Sequence, residues 1–305
     1  HKDVVCVLLD RGASIDQARE YGLTPLFTAC QNGHKDVVTV LLDRGASIDQ
    51  ADKYGWAPLY IACQNGHKDV VCVLLDRGAS IDQAREDGRT PLFTACQNGH
   101  KDVVTVLLDR RASIDQAREN GVTPLYAACQ NGHKDVVTVL LDRGASIDQA
   151  MWTGTTPLYI ACRNGHKDVV SMLLERGASI DQADKDSWTP LYVACRNGHK
   201  DVVSLLLERG ASIDQADKDS VTPLWIACQN GHKEVVSLLL DRGASIDQAR
   251  EDGATPLLMA CWDGHKDVVC VLLDRGADKS IRFRNSLPID IARKKGHTAI
   301  VALLE

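Results

Sequence analysis

Histidine returns every 33 residues along this chain, at His34, His67, His100, His133, His166, His199, His232 and His265. The triplet Thr24-Pro25-Leu26 returns in step, as Ala57-Pro58-Leu59 and Thr90-Pro91-Leu92, through to Thr255-Pro256-Leu257. A period of this length constrains the fold more than composition does, because each unit must be one supersecondary element that stacks on copies of itself. The register slips once, where His297 follows His265 by 32 residues. The spacing therefore divides residues 1–305 into a partial repeat (1–20), eight full repeats (21–283) and a shorter terminal unit (284–305), read as one domain without a linker.

One unit explains the others. Thr24 is placed to cap a helix whose first residue is Pro25, since a threonine hydroxyl accepts an orphan amide and proline lacks one to lose. Leu26, Ala29 and Cys30 share one face at helical spacing. Gly33 supplies a left-handed stop. His34-Lys35-Asp36 opens a second helix with Val37, Val38, Leu41 and Leu42 apolar, and Gly45 ends it. The stretch from Ala46 to Ala51 then reaches Gly55 as an extended turn. Helices of about ten residues are too short to stand alone, so neighbouring units must bury each other's faces. The glycine that follows an arginine at the end of the second helix is replaced in one unit by Arg111, which predicts a strained left-handed residue there.

The repeated Thr-Pro-Leu, Ala-Cys, Asn-Gly-His, Val-Val, Leu-Leu and Arg-Gly-Ala elements resemble the ankyrin-repeat family across essentially the whole chain. The resemblance implies an all-α solenoid of helix-turn-helix units with finger-like β-turn loops. It also implies a concave groove, lined by finger tips and the exposed side of the first helices, that holds partners. Two departures are systematic. The family's His after Thr-Pro-Leu is replaced by Phe27, Tyr60, Phe93, Tyr126, Tyr159, Tyr192, Trp225 and Leu258, and its Asn after Gly-Ala-x-Val becomes Asp, as at Asp49 and Asp82.

Composition removes several function classes. A net charge of −6 and a pI near 5.9 leave no footprint for nucleic acid or anionic membrane. The apolar runs are far too short for a membrane span. Eleven cysteines, eight of them at fixed spacing beside alanine, read as buried thiols of a reducing cytosol or nucleus. The recurring Cys30-x-x-x-His34 pattern invites a metal or nucleophile reading. Gly33 breaks the helix between the two residues, no further ligand pair is near, and an active site is not repeated eight times. No metal, cofactor or enzymatic activity is therefore expected. The Phe27-to-Trp225 series is read as packing between repeats, with a ligand-stacking ladder as the alternative, and Lys35, Asp36, Asp43 and Arg44 as a solvated outer face.

Function is sought where the units disagree. Variation gathers around the finger glycine and at the end of the first helix, and it is there that Trp, Tyr and Arg appear, the types that dominate interface energy. The candidate protein-binding residues are Tyr21, Leu23, Tyr54, Trp56, Arg89, Trp152, Trp188 and Trp262, with Arg163 and Arg196 offering anion contacts. The tryptophans are expected to lie outside the stacked core. The expected partner is another protein or an extended peptide, and the alternative is a spacer with no dedicated ligand. The chain is expected to be a monomer closed at one end by a polar cap containing Arg293, Lys294 and Lys295. At the other end an uncapped helix carrying Val4, Val5, Leu8 and Leu9 is available for end-to-end contact.

Overall fold

The computed structural model describes residues 2–305. They form two compact units, His1–Trp152 and Thr153–Glu305. Among the described residues there are nineteen α-helices and no β-strand.

The first unit opens with a single helix, Lys2–Asp10, and continues with four helix pairs, from Pro25–Gln31 with Lys35–Asp43 to Pro124–Gln130 with Lys134–Asp142. The second unit contains five pairs, from Pro157–Arg163 with Lys167–Glu175 to Pro288–Lys295 with Thr298–Leu304. Local chemistry sets these boundaries. Thr24 Oγ1 accepts the Phe27 N–H at 3.1 Å, and Thr90, Thr123, Thr156, Thr189, Thr222 and Thr255 repeat the cap. In the last pair Leu287 takes the cap position, and Asp290 reaches back to accept its N–H at 3.0 Å.

Most first helices are followed by a glycine that the next repeat requires. Gly33 has φ +69°, and a Cβ there would lie 2.7 Å from His67 Nδ1. The imidazole packs flat against that bare backbone and donates from Nε2 to the Gln31 carbonyl at 2.9 Å. His100 and His133 repeat this bond in the first unit, and His199, His232, His265 and His297 in the second. The period therefore reflects a physical tie in which each of these histidines staples its own repeat to the carbonyl end of the one before.

The core is a column of small and aliphatic side chains. Leu92, Ala95 and Cys96 of one first helix are fully buried, as are Val104 and Leu107 of the adjoining second helix. A buried leucine contributes about 2 kcal/mol, so many modest contacts replace a large aromatic core. The residues standing in for the family's histidine are buried too, from Phe27 at 2% exposure to Trp225 at 2%. They pack between repeats, as the sequence predicts.

The Asp substitutions also join neighbours. Asp49 accepts the Ser80 N–H at 3.0 Å and its hydroxyl at 2.6 Å, and Asp82 does the same for Ser113. On the outer helices the charges remain exposed but are not independent. Arg77 pairs with Asp43 at 2.6 Å and Arg110 with Asp76 at 2.9 Å, each one repeat apart. Such exposed pairs contribute well under 1 kcal/mol each.

Candidate functional site

The finger loops are short hairpin turns held by their own backbone. In one of them the Asp52 N–H donates to the Trp56 carbonyl at 3.0 Å, and the Gly55 N–H to the Asp52 carbonyl at 3.1 Å. The Asp52 carboxylate completes the turn by accepting the Tyr54 and Trp56 amides at 2.8 and 2.9 Å. Asp184 and Asp217 do the same in the second unit. Where this position is Arg85, the Asp87 carboxylate inside the turn takes over, accepting the Arg89 amide at 3.2 Å. The tips are thus fixed by hydrogen bonds, and the side chains they carry are presented on a rigid base.

In the first unit the structure gathers four of the predicted residues. Tyr21, Leu23, Tyr54 and Trp56 line one cavity of about 340 Å³, with Arg85 at its side. Tyr21 and Tyr54 stack at 6.4 Å, and Lys53 Nζ lies 3.5 Å from the Tyr21 ring centre. Both tyrosines are exposed, at 46% and 55%. Arg89 lies one finger further on, its Nε 3.2 Å from Asp87. Trp152 stands apart on the last finger of this unit, at 66% the most exposed large hydrophobic side chain among the described residues.

In the second unit Trp188 and Arg196 come together. The Trp188 ring stacks on Tyr192 at 5.4 Å, Arg196 lies 4.7 Å above it, and its Nε1 donates to Asp217 at 3.1 Å. These residues border a cavity of about 680 Å³ that Trp225 and Arg250 also line. Burial, and next the Asp217 charge, push the Tyr192 hydroxyl well above the usual tyrosine range. Arg163 is exposed at the end of the preceding first helix, and Trp262 lies apart beneath Lys295, whose Nζ is 4.0 Å from its ring.

The expectation that the tryptophans lie outside the stacked core needs correction. Only Trp152 does. Trp56, Trp188 and Trp262 are half-buried, because the first two lie on the aromatic ring four residues later, Tyr60 and Tyr192. Comparison of the repeats does not single out the residue after the Gln-Ala pair, which at Asp52, Arg85, Asp217 and Arg250 lines one of these two cavities. The signal lies in the sequence, where this position just before the variable finger residues is Arg or Asp in every repeat but one, which has Met151.

Reactive chemistry is scarce here. The thiols beside the first-helix alanines are buried, and loss of water pushes Cys30, Cys63, Cys96, Cys129, Cys195 and Cys228 well above the usual thiol range and Cys261 to about 12. Thiols held protonated are poor nucleophiles and poor metal ligands.

No curated protein matches the chain in sequence. Among solved structures it is similar to the human ASB11 ankyrin repeat domain, with 30% identity and a TM-score of 0.66 over 71% of this chain and 98% of that one. A family model for ankyrin repeats (three copies) matches residues 1–85, 77–151, 148–217 and 212–283. With its stapling histidines, capped first helices and hydrogen-bonded fingers, the chain belongs to the ankyrin-repeat family.

Proposed function

We propose that this chain is a non-enzymatic scaffold that holds a partner protein, as an extended segment or a domain edge, against its finger loops and first helices. Ankyrin repeats are in general protein-protein interaction modules, which gives the class. The observation that carries the reading to this face is the exposure of Tyr21, Tyr54 and Trp152 on finger loops whose backbone is hydrogen-bonded, the Trp152 amide to the Asn120 carbonyl of the preceding finger. Solvated turns gain nothing from large aromatic rings, and rigid exposed aromatics lose little entropy on binding. The repeated buried thiols support work in a reducing intracellular compartment.

The test is affinity capture of partners by the intact chain, with mass spectrometry for identification and calorimetry on each captured partner. Tyr54→Ala and Trp152→Ala are each expected to weaken binding by about 2 kcal/mol, the scale of an interface hot spot. Lys35→Ala, on the opposite helices, is expected to change it by less than about 0.5 kcal/mol. A partner lost with Lys35→Ala and retained by both finger variants would move the site to the outer helices. Absence of any partner that depends on the fingers would favour the spacer reading.

A further inference from the structure

The two units differ at one repeated contact. In the second, the Trp188 indole N–H finds its acceptor 29 residues later, on Asp217. In the first, Trp56 has Arg85 at that spacing, a donor in place of an acceptor. The Trp56 Nε1 is consequently buried without a partner, and so are the Nε atoms of Arg85 and Arg118; the buried Arg89 Nε has only the ion pair with Asp87. One side of the first unit thus holds an excess of donors.

The three guanidiniums share a single carboxylate oxygen. Asp87 Oδ2 lies 3.2 Å from Arg89 Nε, 3.7 Å from Arg85 Nη1 and 3.9 Å from Arg118 Nη2. The latter two distances are too long for hydrogen bonds. The other Asp87 oxygen is taken by the Arg89 amide, and Asp52 spends an oxygen on its own finger. The exposed Glu86 and Glu119 form no ion pair with the three arginines. Each guanidinium carries five N–H donors, and in all three the buried Nε makes no hydrogen bond.

The cluster is also held ready. Arg85 lies 5.3 Å from the Trp56 ring centre and Arg118 lies 5.7 Å from that of Phe93. A guanidinium stacked on an aromatic face has little freedom left to lose when an anion docks. Arg85 further belongs to the wall of the 340 Å³ cavity formed with Tyr54 and Trp56. A cationic cluster and a largely apolar recess are therefore contiguous, joined through one side chain.

We propose that the first unit takes an acidic peptide segment, a carboxylate of which meets Arg85, Arg89 and Arg118 while a neighbouring apolar side chain fills the recess beside Tyr54 and Trp56. This rests on the finger-face reading and specifies its chemistry. Planar carboxylates suit paired guanidinium donors, and a cavity of this size accepts a large apolar side chain. The second unit, where Asp217 satisfies the indole from within, lacks the donor excess.

Random twelve-residue peptides displayed on phage and panned against the intact chain test the proposal. The enriched peptides are expected to carry Asp or Glu beside an apolar residue. A synthetic winner is expected to bind roughly tenfold or more weakly when its acid is changed to the amide, a comparison made entirely on the unaltered protein. Arg118→Gln and Arg89→Gln, confirmed folded by circular dichroism, are expected to produce a similar loss, and added salt to weaken the acidic peptide alone. Enrichment of neutral or basic peptides, no enrichment at all, or acidic peptides indifferent to Arg118→Gln and Arg89→Gln would overturn it. If neutral peptides are lost with Tyr54→Ala, the finger face stands and only the anion preference falls. If no peptide responds to Tyr54→Ala, Trp152→Ala or Arg118→Gln, both readings fall.

Discussion

Two kinds of left-handed residue recur in this chain, and they answer differently to substitution. Arg111 has φ +66°, where Gly45, Gly78 and Gly144 have φ near +85°. No atom lies within 4 Å of a Cβ built on those three glycines, so the only objection to a side chain there is the backbone conformation itself. Arg111→Gly is expected to raise stability by about 1 kcal/mol, read as a higher melting temperature. An unchanged or lower one would contradict the assignment. At Gly66 the objection is doubled, since a Cβ would lie 2.6 Å from His100 Nδ1 and push away the ring that holds the Gln64 carbonyl. Gly66→Ala is expected to cost about 2 kcal/mol or more in the same melts. Both glycines are legible in the sequence as left-handed. The neighbour that makes one of them irreplaceable comes from the next repeat and is not.

At the scale of helix and finger, the exposed and stacked tryptophans should separate cleanly. Trp188 bridges Tyr192 and Asp217 across two repeats, whereas Trp152 is two-thirds exposed. Trp188→Ala is expected to destabilise by about 2 kcal/mol through lost ring burial and a lost indole bond. Trp152→Ala is expected to change stability by less than about 0.5 kcal/mol. Chemical denaturation of both variants checks this, and equal effects would mean that the Trp188 stack is not structural. The helices, their threonine caps and their glycine stops could be read directly, because each depends on residues within a few positions of one another. What escaped the sequence were contacts 29 to 36 residues apart: Trp188 with Asp217, Asp49 with Ser80, Arg77 with Asp43. In a solenoid those are nearest neighbours, yet no local pattern marks them. Trp56 shows the difficulty most plainly, since only the register of the following repeat reveals that it meets Arg85 rather than an aspartate.

Across the whole molecule one residue choice is multiplied until it becomes a property of the chain. Each unit carries four buried cysteines, Cys30, Cys63, Cys96 and Cys129 in the first and Cys162, Cys195, Cys228 and Cys261 in the second. A thiol of the unfolded chain ionises near pH 8.5, whereas burial keeps seven of these eight protonated to far higher pH. Below that unfolded value both states hold the proton, and the thiols add no pH dependence. Above it the unfolded chain releases protons that the folded chain retains, so stability falls as pH rises. Each thiol then costs about 1.4 kcal/mol per pH unit, and the losses add along a repeat array. Melting temperatures are expected to be flat from pH 7 to 8 and to drop steeply between about pH 8.5 and 9.5, with a shallower drop in a Cys63→Ala, Cys96→Ala double variant. A melting temperature unmoved to pH 9.5 would count against this. The packing unit that builds the core thus sets an alkaline ceiling on the fold, reached by proton release from the unfolded chain while every native contact is still intact.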